Sequence, residues 1–324
     1  MRTRITELFN IRYPVMSAPM TNHSGERLAA AVSQAGGLGS FGGIHPEGVD
    51  WVLEQLGLVR SQTDNPFAVG FLTQYIPDYL PIFHAVLEEK VPAIAFSFAD
   101  PAPWLGQAKA AGAITLCQVQ DLKGADAAGA AGADVLVVQG NAAGGHTGGM
   151  NLLHFICSVV DRYPQVPVMA SGGISDGRTL AAVLAAGAEG AWIGTAFVAT
   201  TEAVEVPEPF KEVIVRSDGE DTVFTPVYDL IDNASWPEGV AARVYKNPFV
   251  SRWLGREGEI EAHREELSTD AAVAWANQDP AGASVYMGAS AGLVKAIRPA
   301  AEVLIEVCSQ AESILQNRRQ ELKD

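Results

Sequence analysis

Two stretches decide the fold: DVLVVQGNAAGGHTGG at residues 134–149 and VPVMASGGISDGRTLAAVLAAGAEGAWIGTAF at residues 166–197. Together they read as three strand-to-loop transitions that carry one histidine and two glycine-rich turns. Gly172 and Gly173 follow an apolar, strand-type run and precede a helix opened by Ser175 and Asp176. Backbone N–H groups and a helix N-terminus would therefore face the same anion. Gly194 and Thr195 end the next run, Ala191-Trp192-Ile193, and offer a second set of donors. Such donors hold a phosphate monoester without side-chain charge. The same glycines also read as simple tight turns, but two such turns in successive units favour a phosphate site.

Outward from this stretch, short apolar runs bounded by Gly, Pro or Asp alternate with helical segments, the sequence form of repeated βα units around a parallel sheet. Strands are expected near Val15 to Ala18, Leu38 to Phe41, Ala68 to Leu72, Ala93 to Phe98, Ile114 to Val119, Val135 to Gln139, Val168 to Ser171 and Ala191 to Ile193. Helices are expected at Glu26 to Gln34, Gly48 to Leu56, Tyr79 to Glu88 and Thr179 to Ala186, among others. Junctions such as Ala131-Gly132-Ala133-Asp134 and Ala186-Gly187-Ala188-Glu189 fit glycine C-caps that return each helix to the next strand. Eight units predict an α/β chain folded as a (β/α)8 TIM barrel over residues 1–200. From residue 201 acids, prolines and scattered aromatics replace the alternation, which predicts a mostly helical insertion over 201–285. Residues 286–324 would form a C-terminal helix, from Leu293 to Leu315, that packs back on the barrel.

Composition narrows the function. The chain has 324 residues, 48% of them hydrophobic, and a formal charge of −16, with 22 Lys and Arg against 38 Asp and Glu. That balance argues against a general nucleic-acid or anionic-membrane surface, so an anionic ligand would need a local field from backbone donors. Cys117, Cys157 and Cys308 are odd in number and far apart, which fits buried reduced thiols rather than disulfides or a metal cluster. No early stretch has the form of a signal peptide and no run approaches the ~20 apolar residues of a membrane span. A cytoplasmic protein is expected.

A barrel displays functional side chains at the C-terminal ends of its strands. His146 sits there in Gly144-Gly145-His146-Thr147-Gly148-Gly149, where flanking glycines leave the imidazole accessible as a base; the alternative is a histidine that only ties down its loop. His23 follows the first strand and His45 the second, while His84, His154 and His263 fit structural positions. Ala18, Pro19 and Met20 end the first strand in a small-residue turn that would let a planar ring approach the backbone. Gln118 and Gln139 end strands five and six, where neutral amides suit hydrogen bonding to the edge of a heteroaromatic ring. Phe71, Phe96, Phe98 and Trp192 read first as core. Gly288-Ala289-Ser290-Ala291-Gly292 reads equally as a return to the mouth or a plain helix entry. Apolar residues of the insertion would line a substrate pocket or a contact between copies, so a homo-oligomer stays open. No strand end supplies the Lys or carboxylate that a sugar-phosphate aldolase or isomerase needs.

The chain resembles the nitronate monooxygenase family, formerly 2-nitropropane dioxygenases, within a superfamily that also holds flavin-dependent enoyl-ACP reductases and NAD(P)H:quinone reductases. The resemblance spans almost the whole chain and rests on YPVMSAPM, QGNAAGGHTGG, the segment from ASGGISDGR to WIGTAF, and GASAGLVKAIRPAAE. It implies an FMN-bearing TIM barrel. Ala18, Pro19, Met20 and Gln118 would lie by the flavin ring, with Gln139 and Gly144 at its border. Gly172, Gly173, Gly194 and Thr195 would hold the phosphate, and His146 would be the active-site histidine. Many relatives carry Glu-Ala-Gly-Gly-His where this chain has Ala142-Ala143-Gly144-Gly145-His146. The implied reaction is FMN-dependent oxidation of alkyl nitronates or nitroalkanes with O2 to carbonyl compounds and nitrite. The alternative is an NAD(P)H-dependent flavin reductase acting on a quinone or an enoyl thioester.

Overall fold

A computed structural model describes residues 1–321. The barrel strands are β1 (Val15–Ser17), β2 (Gly39–Gly42), β3 (Phe67–Leu72), β4 (Ala93–Ser97), β5 (Ile114–Val119), β6 (Val135–Gln139), β8 (Val168–Ser171) and β9 (Gly190–Ile193). Between β6 and β8 lies β7 (Gly145–Thr147), outside the barrel. The eight barrel strands pair in parallel in the order β1-β9-β8-β6-β5-β4-β3-β2. A parallel bridge from Met16 to Leu38 closes the ring, reinforced by the Ser40 amide donating to Ser17 Oγ at 3.0 Å. The chain is thus a (β/α)8 TIM barrel. Its strands are buried along nearly their whole length, as parallel strands covered on both faces must be.

Packing inside and outside the barrel follows the side-chain alternation of each strand. Inside lie Met16, Leu38, Leu116, Val135, Val137, Met169 and Trp192, and the N-terminal helix Arg4–Phe9 closes the bottom with Ile5 and Phe9. Facing outward, Val69, Phe71, Ile94, Phe96, Leu136 and Val138 meet the apolar faces of the surrounding helices. Helix Leu152–Arg162 buries Phe155, Ile156 and Val159, one i, i+1, i+4 face. Its start is fixed by Asn151, and those of Leu122–Ala130 and Gly177–Ala185 by Asp121 and Asp176, all side-chain caps. Gly187 ends the last of these at φ +106, the left-handed geometry that a helix-ending glycine supplies.

Three features differ from the sequence expectation. Helix Val49–Gln62 runs past Leu56. The final helix begins at Ala300, not Leu293, and runs to Glu321, because Pro299 disfavours helical backbone at Arg298; residues 289–293 form a 3-10 turn instead. It completes the ring by packing against helices Gly177–Ala185 and Glu26–Gln34. Cys157 is exposed, while Cys117 and Cys308 are buried.

Within 201–285, helices Glu208–Arg216, Val227–Ile231, Pro248–Trp253 and Ile260–Ala276 are joined by two strands, β10 (Thr222–Thr225) and β11 (Ala241–Tyr245). These form an antiparallel sheet β10-β11-β7 in which Ala242 lies opposite His146. Val227, Ile231, Val244, Val250 and Trp253 belong to a separate apolar cluster under this sheet. The insertion is therefore tied by backbone hydrogen bonds to the loop that carries His146.

Candidate active site

Loops at the C-terminal ends of the barrel strands enclose a cavity of about 310 Å³. Ala18, Pro19, Met20, Gln118, Gln139, Gly144, His146, Gly172, Gly173, Gly194 and Thr195 all line it. Local sequence explains the placement of each wall. Pro19 lies over Gly70 of β3, where any Cβ would overlap the proline ring, and the Met20 amide donates to Ser24 Oγ at 2.8 Å, tightening the turn after β1. On the floor, Gln120 Nε2 donates to Gln139 Oε1 at 3.0 Å and to Gln118 Oε1 at 3.3 Å. Gln139 Nε2 then donates to the His146 carbonyl at 3.0 Å. This buried amide chain fixes which edge of each glutamine meets the cavity.

Gly172 and Gly173 have φ of +93 and +74, backbone that side-chain-bearing residues rarely adopt. A Cβ on Gly172 would stand 2.7 Å from the Gly140 carbonyl and 2.9 Å from Ala143 Cβ. The amides of Gly172, Gly173 and Gly194 donate to no acceptor among the described residues. Thr195 Oγ1 accepts from the Gly288 amide at 3.0 Å and keeps its own proton to donate. Ser290, joined to Ser175 Oγ at 2.7 Å, completes this wall, so the Gly288–Gly292 segment does return to the mouth. Free amides on a glycine turn, a hydroxyl and a flat opening above small residues fit a phosphate monoester attached to a planar ring.

At the opposite wall His146 Nε2 lies 2.6 Å from Asp229 Oδ1, and the imidazole stacks on Trp236 at 3.5 Å between centroids and 13° between planes. An ionised carboxylate only accepts, so at this contact Nε2 is the donor, and Nδ1 has no partner among the described residues. Phe98 stands edge-on to both rings; its φ of +77 is unusual for a bulky side chain. Tyr286 lines the same wall, its phenol pushed up by burial and by the charges of Asp229 and Asp232. His23, partly exposed and edge-on to Trp275 and Tyr286, is pushed below the usual imidazole range by the protein around it. No Lys, Arg, Asp or Glu lines the cavity among the described residues.

Of the other sequence candidates, Phe98 and Trp192 reach the cavity, whereas Phe71 and Phe96 are core. His45 stacks on Trp51 away from the cavity. Sequence reading missed Gln120, Asp229, Trp236 and Tyr286. Gln120 follows Gln118 at a strand end and carried a signal; the other three lie beyond residue 200, where no periodicity ties them to the mouth.

The fold is a TIM barrel, and the likeness to known proteins makes the chain an oxidoreductase. The family model described as nitronate monooxygenase matches residues 2–82 and 76–310, and the chain belongs to that family. The (3aS,4S,5R,7aS)-5-hydroxy-7a-methyl-1-oxo-octahydro-1H-indene-4-carboxyl-CoA dehydrogenase of Mycobacterium tuberculosis is 33% identical over 78% of this chain and 68% of its own length. A probable nitronate monooxygenase of Staphylococcus saprophyticus is 29% identical over 80% of this chain and 82% of its own. Among solved structures, FabK from Thermotoga maritima superposes with a TM-score of 0.89 at 31% identity, covering 99% of both chains. Nitroalkane oxidase from Streptomyces ansochromogenes gives 0.82 at 26% identity, covering 97% of this chain and 99% of its own.

Proposed function

We propose that the protein binds FMN and oxidises alkyl nitronates, and nitroalkanes, with O2 to carbonyl compounds and nitrite, with His146 as the active-site base. The observation that carries this reading is the 2.6 Å contact of His146 Nε2 with Asp229, which leaves Nδ1 without a protein partner, in a cavity whose far wall is a glycine-turn anion cradle. FMN, when bound, supplies the redox chemistry. Gly172, Gly173, Gly194 and Thr195 would hold its phosphate, Ala18, Pro19 and Met20 would lie along the ring, and Gln118, Gln139 and Gly144 would meet its border. His146 would take the α-proton of a neutral nitroalkane on Nδ1 and, once protonated there, donate to an oxygen of the nitronate formed; a preformed nitronate would bind with its oxygens near the same ring. The apolar walls from Leu72, Phe98 and Trp236 would exclude water. In this reading residues 1–200 bind the cofactor, 201–285 shape the substrate wall, and the last helix closes the barrel.

A second reading, an NAD(P)H-dependent flavin reductase acting on a quinone or an enoyl thioester, is favoured by the likeness to a CoA-thioester dehydrogenase at 33% identity. Absorbance of the purified protein without oxygen separates them. Bleaching of bound flavin by an alkyl nitronate and not by NADPH supports the first reading; bleaching by NADPH alone replaces it with the second.

A further inference from the structure

We infer that Asp229 is the positioning residue of the active site: it locks His146 with the proton on Nε2, turning Nδ1 to the substrate, and balances the charge when that nitrogen takes a proton. The inference rests on His146 acting as the base proposed above.

The geometry is over-determined. Asp229 Oδ1 reaches His146 Nε2 at 2.6 Å, with side-chain exposures of only 11% and 14%. Among the described residues Asp229 has no Lys or Arg partner, so its charge is committed to His146. Both ends of the histidine are also held: Gln139 Nε2 grips its carbonyl at 3.0 Å, β11 pairs with its backbone, and Trp236 covers one ring face. None of these contacts chooses between the tautomers. Only the carboxylate does, because it cannot donate.

Among the described residues the titratable groups around the ring are acids or phenols apart from His23. Asp229 and Asp232 come from helix Val227–Ile231 and its end, Tyr286 from the segment beyond the last insertion helix, and Tyr75 from the 3-10 turn after β3. Desolvation and the charge of Asp229 raise the Asp232 carboxyl above its ordinary value. In the step itself the α-C–H bond breaks, its proton forms an N–H bond at Nδ1, and the electron pair stays on carbon and passes into the nitro group. The resulting imidazolium is then neutralised by Asp229.

The test compares wild type with Asp229→Asn, Asp229→Ala and His146→Asn, each assayed on a nitroalkane and on its preformed nitronate. Asn keeps an acceptor but no charge, and it is close in size, so Asp229→Asn decides the question if Asp229→Ala does not fold. We expect Asp229→Asn to lower kcat on the nitroalkane at least tenfold with KM little changed, and so to lower the ratio of nitroalkane to nitronate turnover severalfold. An unchanged ratio of the two turnovers in Asp229→Asn overturns the inference. If His146→Asn also leaves both turnovers unchanged, the base assignment has failed as well. Nitrogen-15 NMR of the histidine ring gives a readout independent of turnover. Wild type should show Nε2 protonated and Nδ1 bare, and Asp229→Ala should show mixed tautomers; a proton on Nδ1 in wild type refutes the positioning role.

Discussion

Trp236 lies face to face with His146, the ring centroids 3.5 Å apart and the planes 13° from parallel, and its Nε1 is buried without a partner among the described residues. The stack restrains the imidazole from rotating out of the cavity, and an aromatic pair of this kind contributes about 0.5–1.5 kcal/mol beyond its burial. Trp236→Phe keeps a ring and removes the N–H, whereas Trp236→Ala removes both. Trp236→Ala should lose roughly tenfold in kcat/KM, on the scale of ~1.4 kcal/mol per decade, and Trp236→Phe should lose much less of kcat. Equal losses in the two variants, measured by steady-state turnover, would show that the N–H and not the stack is what counts.

The cradle glycines are unequal, and substitution should separate fold from cofactor. Gly172→Ala forces a Cβ against the Gly140 carbonyl at φ +93, a combination of strain and overlap expected to destabilise by about 1–3 kcal/mol. Gly194→Ala meets only ordinary contacts, Met20 Sδ at 3.6 Å and Ala18 Cβ at 3.7 Å. Its melting temperature should stay close to wild type while the flavin-to-protein absorbance ratio falls. A Gly194→Ala protein that keeps full flavin content would remove this residue from the phosphate site.

Legibility in the sequence tracks how local each cause is. Barrel strands such as Val135–Gln139 are bounded by loop residues and apolar on both faces, so a single window of sequence marks them. The glycine turn at 172–173 and the Asp176 cap are equally local. His146 is recognisable from its glycines, but its strand is only three residues long and exists because β11 pairs with it, about a hundred residues away. Asp229 and Trp236 share that limit: their proximity to His146 comes from the insertion folding over the mouth, and neither spacing nor alternation encodes it. The onset of the last helix is hidden for a different reason. The apolar run from Leu293 reads as continuous helix, yet Pro299 bars helix through Arg298.

The amide chain on the cavity floor predicts a stability effect that also reaches the active site. Gln139 is 4% exposed and both ends of its amide are engaged, accepting from Gln120 and donating to the His146 carbonyl. Gln139→Leu strands the donor of Gln120 and the acceptor of His146, at about 1–3 kcal/mol for each buried group left unpaired. Chemical denaturation should place it below wild type by at least one such increment. Turnover should fall too, because the His146 backbone loses one of its two anchors. A Gln139→Leu protein of wild-type stability would mean that water replaces the lost partners.

Asp134, at the entrance to β6, gives a pH dependence whose sign can be worked out. Burial alone would raise this carboxyl, but Lys109 Nζ at 2.8 Å and the Thr115 amide and hydroxyl at 2.9 and 2.7 Å outweigh it and hold the group below its ordinary value of 3.8. The folded protein therefore binds this proton less tightly than the unfolded chain does. The stabilisation is fully present above the unfolded value and is lost as pH falls through the folded one. Asp134→Asn removes the charge and should cost about 1–2 kcal/mol at neutral pH, where a charged acceptor is exchanged for a neutral one. Denaturant titrations of both proteins from pH 7 down to pH ~3 should show that gap narrowing only in the acid range, below the ordinary carboxylate value. A gap that stays constant over the whole range would assign the loss to packing rather than to the ionised carboxylate.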